Sequence, residues 1–175
     1  MTASESRCLA ALQAACGTEG GPIERHSRRV LLLAEELAAG REIDRELLAC
    51  ACWLHDIGLY PSVATKAAYV TDGRRVAEEL LADWPPERLR RCADAVEFHH
   101  EPRAQAHRGL EVELLRVADR IEVSQGLLRG GLPRATVSRI RRDVPVRGFV
   151  PEVLRGLGRA ARERPRSLPR ILFPR

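Results

Sequence analysis

His55 and Asp56 stand side by side where the apolar run Leu47-Leu48-Ala49-Cys50-Ala51-Cys52-Trp53-Leu54 comes to its end. An imidazole and an ionisable carboxylate at the end of a core-facing segment are costly to bury, because both lose hydration that apolar neighbours cannot replace. A cation is the simplest compensation. The doublet therefore raises the question of whether other histidines and carboxylates complete a metal site.

The chain holds five histidines. His26 shares a face with Val30, Leu33 and Leu37 at i, i+4, i+7 and i+11, so its imidazole belongs to an apolar stripe. His99 and His100 close a segment whose stripe is Leu89, Cys92, Ala93 and Val96. Asp119 lies among Leu114, Leu115, Ala118 and Ile121, the apolar positions of Leu110–Ile121. His107, in a polar Arg/Gln/Gly loop, reads as a surface residue. A lone histidine on such a face is more often a hydrogen-bonded core residue, and a lone aspartate more often a cap. Four separate apolar-faced segments bearing such groups, with almost no other histidine available, favour convergence. Two imidazoles and two carboxylates suit a divalent Mn, Fe, Co or Zn ion better than Mg. The expectation has a strict geometric form: bonds of about 2.1 Å to one centre cannot be made if the rings of His26 and His55 lie more than about 8 Å apart.

The elements that would carry these groups are all helices. Ala, Leu, Arg and Glu dominate and aromatic residues are 4% of the chain, which favours helix over sheet. A first helix is expected over about 4–16. The His26 helix opens at Gly21-Pro22 and closes at Gly40, and the doublet helix is capped by Asp44 and stopped by Gly58. Residues 59–71, with Pro61 and Ser62, form a loop beside the doublet. Asp72 caps a helix running to about Asp83, Trp84-Pro85-Pro86 breaks it, and the next helix runs from Pro86 to the paired histidines. Gly130-Gly131 and Pro133 end the Asp119 region.

In order and in local wording the chain resembles the HD-domain superfamily of metal-dependent phosphohydrolases: RHSRRV around His26, LHDIG at the doublet, VEFHHE at 96–101 and LLRVADRIE around Asp119. The resemblance runs from about residue 20 to 128. It implies an all-α bundle in which His26, His55, Asp56 and Asp119 hold the metal, and Asp56 also orients or deprotonates a water that attacks phosphorus. Relatives that bind two ions carry a further histidine between the doublet and the paired histidines. Residues 57–98 hold none, so one ion per chain is expected, with His99 and His100 lining the pocket. Relatives that open cyclic dinucleotides have Gly-Tyr-Pro after the pair and Lys after HDIG. Here those places read Glu101-Pro102-Arg103 and Leu59, so that substrate class is not expected.

Other residues bear on a phosphorylated substrate. An imidazole titrates near working pH, so His99 or His100 suits steadying developing charge or protonating a leaving oxygen. Arg29, one turn from His26, offers a planar fork as a phosphate clamp. Lys66, the sole lysine, falls in the loop after the doublet and is a second candidate for substrate phosphate. The expected activity is hydrolysis of a small phosphate ester by metal-activated water. The alternatives are a non-catalytic regulatory module of the same type and, more remotely, a di-iron oxygenase on the same scaffold.

Length, charge and cysteines narrow the class further. A chain of 175 residues buries a single core, expected as a metal-binding helical domain over 1–128 with an Arg-rich helical extension, 129–175, packed on it. That extension holds 13 arginines against Asp143, Glu152 and Glu163, a net of +10, while residues 1–128 carry −5. Nucleic acid is one partner for such a segment, but Phe149 and Phe173 are its only rings and base stacking would want more. A basic helix on an acidic body, with Val150, Val153, Leu154 and Leu157 inward, is favoured; a third reading sets some of these arginines at the site mouth to attract a phosphorylated substrate. Five cysteines within helical patterns read as small apolar residues of a reducing compartment, so a cytoplasmic location is expected. No apolar run approaches the ~18 residues of a membrane span.

Overall fold

The computed structural model describes residues 1–18, 21–65 and 67–163, with the side chains of 153, 156, 157, 159–161 and 163 outside that description. The described residues form eight α-helices and no strand: α1 (Ala3–Cys16), α2 (Pro22–Ala38), α3 (Arg45–Leu54), α4 (Tyr69–Leu80), α5 (Pro86–Phe98), α6 (Leu110–Val123), α7 (Arg134–Asp143) and α8 (Phe149–Glu163). Two short 3-10 turns, Ile57–Leu59 and Ala106–Arg108, interrupt the connections. No helix among the described residues is long and apolar enough to cross a membrane.

The order of packing follows from where the apolar surface lies. In α3 every residue from Leu47 to Leu54 is buried, so this helix is apolar all round and forms the axis of the core. Helices α1, α2, α4, α5 and α6 pack around it. The stripe 47, 48, 51, 54 read from the sequence is thus only part of what α3 buries. Cys50 and Cys52 are both fully buried and are free thiols, and desolvation pushes the Cys52 thiol well up, which suits packing rather than thiolate chemistry. Outside this axis α4 packs on α5 and α2 packs on α6, the second pair facing His26 towards Asp119.

Helix ends are set largely by local chemistry. Thr2 and Glu5 form a reciprocal capping box at α1, and Asp44 accepts from the Leu47 amide at 3.0 Å to start α3. Two expectations are corrected. Helix α4 begins at Tyr69, and Asp72, within its first turn, instead accepts from the Thr65 amide (2.9 Å) and hydroxyl (2.6 Å), pinning the preceding loop. Gly58 is not the left-handed stop of α3, which ends at Leu54 with His55 still in right-handed helical conformation. Glycine is required at 58 by close approach: a Cβ there would lie 2.0 Å from the Tyr69 carbonyl oxygen. That contact sets the start of α4 directly against the doublet.

Helices α7 and α8 both rest on α2. Val137, Ile140, Val144 and Phe149 are buried there, and all but Val144 join the main core cluster. On α8, Val150 and Leu154 are exposed rather than inward, while Val153 and Leu157 lie outside the described side chains. The residue of this segment that docks is Phe149, because it sits at the helix start where the chain is held against α2.

Candidate metal centre

Each site residue arrives from a different helix end or turn, and each is placed by the packing just described. His26 comes from the second turn of α2, His55 and Asp56 from the turn after α3, His99 and His100 from the end of α5, and Asp119 from the last half of α6. All except His100 are buried, and His100 retains 31% of its side-chain exposure. His26 and His55 have ring centroids 5.1 Å apart and Nε2 atoms 3.0 Å apart. The His26 Nε2 lies 3.3 Å from Asp119 Oδ1 and 3.6 Å from Asp56 Oδ2, and the His55 Nε2 lies 3.5 Å from Asp56 Oδ2. His99 Nε2 is 3.8 Å from Asp56 Oδ1, and His100 Nδ1 is 3.4 Å from Asp119 Oδ2.

The hydrogen bonds fix which ring nitrogens face inward. A carbonyl can only accept, so the contacts His55 Nδ1 to Cys52 O (2.8 Å) and His99 Nδ1 to Val96 O (2.7 Å) place the proton on Nδ1 in both rings. Their Nε2 atoms then present lone pairs to the centre, the arrangement in which a histidine ligates a metal. Burial pushes both of these rings towards the neutral form, His99 well below its ordinary value. His26 behaves oppositely: burial works against its charge, but the carboxylates of Asp119 and Glu122 carry it up to about 9. Burial likewise disfavours a charged Asp119, yet His26 and the neighbouring imidazoles hold its carboxyl far below the carboxylate range.

This donor set fits a cation. Ligand atoms of His26, His55 and Asp119, of His55, Asp56 and His99, and of His99, His100 and Asp119 form three overlapping groups, each with all atoms within 4.8 Å of one another. Bonds of about 2.1 Å meeting near a right angle put two nitrogens about 3.0 Å apart, the separation seen between His26 and His55. Asp119 Oδ2 is buried with no hydrogen-bond partner among the described residues. A buried carboxylate oxygen without a partner and the inward Nε2 lone pairs of His55 and His99 are acceptors that a divalent ion would satisfy.

The HD-domain family model matches residues 23–124, from the first turn of α2 to the residue after α6. The chain belongs to the HD-domain family. A comparison with curated proteins finds no match. HD domains are typically metal-dependent phosphohydrolases, and the buried His/Asp groups of this HD domain are able to hold a metal ion.

Within the HD domain the structure brings together all six of His26, His55, Asp56, His99, His100 and Asp119. It places His99 and His100 among the donor atoms themselves rather than only along a pocket wall. His107 is exposed. Lys66 lies outside the described residues. Arg29 is corrected: it is fully buried and committed to Glu122 and two backbone carbonyls. Its Nε donates to Glu122 Oε1 at 2.7 Å, and Nη1 donates to the carbonyls of Pro145 (3.0 Å) and Val144 (3.3 Å). The physical reason is the i, i+3 spacing on both helices. The pair His26/Arg29 on α2 meets Asp119/Glu122 on α6, so Arg29 is consumed by the second carboxylate.

Three residues escaped the sequence reading. Glu122 is fully buried, paired with Arg29 and Arg141, and its Oε1 lies 3.9 Å from His26 Nδ1. Tyr69 is buried with its hydroxyl 3.3 Å from His99 Nε2, and desolvation keeps that hydroxyl protonated and a donor. Phe149 stacks on the His26 ring with centroids 4.3 Å apart and planes 16° apart. The spacing of Glu122 from Asp119 was a usable signal. Nothing local marks Tyr69 or Phe149, which arrive through the Gly58 contact and the docking of the C-terminal segment.

Proposed function

We propose that this protein is a metal-dependent phosphohydrolase acting on a small phosphate ester. The observation that carries the reading is the convergence of three buried imidazoles and two buried carboxylates, with the inward nitrogens of His55 and His99 freed by hydrogen bonds to backbone carbonyls. His26, His55, Asp56 and Asp119 would hold one divalent Mn, Fe, Co or Zn ion, and His99 and His100 stand close enough to complete its surroundings. When bound, such an ion lowers the pKa of a water towards neutrality and polarises a phosphoryl oxygen.

The chain's own residues supply the remaining steps. Asp56 is the carboxylate nearest solvent, at 7% exposure against 1% for Asp119, so it is best placed to orient the attacking water and take its proton on a carboxylate oxygen. His100 directs Nδ1 towards Asp119 and is the one partly exposed histidine of the site, so its Nε2 is the nitrogen that would give a proton to the leaving oxygen. The Tyr69 hydroxyl stands 3.3 Å from the site-facing Nε2 of His99, where it can donate a hydrogen bond at the edge of the centre. Apart from His100 every donor is buried, so substrate enters along the His100 and Asp56 edge and presents only its phosphate to the donors.

Asp56→Ala tests this reading. Elemental analysis of the purified variant and its hydrolysis of p-nitrophenyl phosphate or bis-p-nitrophenyl phosphate should both fall sharply against the parent protein. Survival of both metal content and hydrolysis would falsify the assignment.

A further inference from the structure

His26 differs from the other buried imidazoles in how it is held. His55 and His99 each donate Nδ1 to a carbonyl three residues earlier in their own segment. The His26 Nδ1 has no hydrogen-bond partner among the described residues, and its facing group is Glu122 Oε1, 3.9 Å away. The ring face is covered by Phe149, nearly parallel to it. Neither contact comes from α2.

Both contacts are themselves anchored. Arg29 and Arg141 converge on the two oxygens of Glu122, at 2.6 Å and 3.1 Å, which fixes the carboxylate beside the imidazole. Arg29 also donates to the Pro145 and Val144 carbonyls, and Arg25 donates to the carbonyls of Pro145 (3.2 Å) and Arg147 (2.7 Å). The backbone leading into Phe149 is thus tied to the helix that carries His26. Phe149 lies outside the family match of 23–124, so this part of the site is supplied by the C-terminal segment.

We infer that Glu122 and Phe149 are positioning residues for His26. Glu122 at the Nδ1 edge favours the tautomer with its proton on Nδ1 and a bare Nε2 towards the centre, and Phe149 blocks rotation of the ring out of that plane. The inference rests on the metal reading above and deepens it: the centre is built from the family's bundle plus one ring of the C-terminal segment.

The test is a titration of cobalt(II) into metal-free, full-length protein, followed by calorimetry and by the visible absorption of the bound ion. Glu122→Gln removes the negative charge that faces Nδ1 at 3.9 Å and should weaken cobalt binding by about tenfold, the low end of what losing a group behind a ligating histidine costs. Phe149→Leu keeps an apolar side chain in place and should weaken it by about three- to tenfold, with an altered absorption band, in line with the loss of one aromatic pair. A purely structural role would lower the melting temperature of the metal-free protein while leaving affinity and band unchanged. Should Glu122→Gln fail to fold once Arg29 loses its counter-charge, Phe149→Leu decides alone. Cobalt affinity within twofold of the parent, with an unchanged band, in the folded variants overturns this inference and leaves the metal reading standing. A folded parent that takes up no cobalt overturns both.

Discussion

Arg29→Met separates two roles that a buried arginine one turn from a site histidine could play. In the structure the guanidinium is fully buried and spent: two nitrogens reach Glu122 Oε1 at 2.7 Å and 2.6 Å, and a third reaches the Pro145 and Val144 carbonyls. Removing one partner of a buried ion pair costs about 3–5 kcal/mol, because the other charge stays desolvated. Arg141, 3.1 Å from the second oxygen, leaves Glu122 one cation and holds the cost from rising further. The two carbonyls lose a charged donor, each bond of that kind contributing about 1.5–3 kcal/mol, but the Pro145 bond is only part-buried and water can replace it. The net expectation stays at about 3–5 kcal/mol. For a chain of this size each kcal/mol lowers Tm by about 2–4 °C, so the metal-free variant should melt about 6–20 °C below the parent by calorimetry. Below that transition its KM for a simple phosphate ester should change less than its stability does. A variant that melts within about 2 °C of the parent, with KM raised about tenfold or more, would refute the reasoning and return Arg29 to the substrate.

Two further perturbations test how the doublet is placed. Gly58→Ala would drive a Cβ to 2.0 Å from the Tyr69 carbonyl oxygen and 2.8 Å from its carbon; backbone cannot yield as a flexible side chain does, so a loss of about 1–3 kcal/mol and weaker metal binding are expected, and an unchanged Tm with full metal content would contradict this. Asp44→Ala removes the α3 cap and the pair with Arg88 (2.6 Å and 2.8 Å), costing about 1 kcal/mol at neutral pH. Arg88 holds the Asp44 carboxyl below its ordinary value of 3.8, so this stabilisation is fully present above about pH 4 and is lost as pH falls through the lower folded value. The melting-temperature gap between parent and variant should therefore be constant from pH 5 to 7 and close in more acidic buffer; a gap that widened on acidification would exclude the pair as its source.

Much of the centre was legible because its members sit on strongly periodic helices. His26 lies in phase with Val30, Leu33 and Leu37, and Asp119 with Leu115 one turn earlier, so burial of each was dictated by the face it occupies. The placement of His55-Asp56 after an apolar run, and of His99-His100 after another, likewise fixed that they would emerge at helix ends. The ring separation of 5.1 Å meets the geometric condition that the sequence reading imposed. The start of α4 was less legible. Asp72 carries good capping chemistry, yet the helix begins at Tyr69, because the contact with Gly58 fixes where that segment can lie.

The sequence by itself determined that His26, His55, His99 and Asp119 are buried, since periodicity and helix-end chemistry are local and act before any two helices meet. Tertiary structure alone decided what each buried group faces. Arg29 looked free to bind phosphate until α6 brought Glu122 against it, and Phe149 looked like one more apolar residue until α8 docked it on His26. Register across a helix pair depends on how two faces interlock, and neither sequence carries that information on its own.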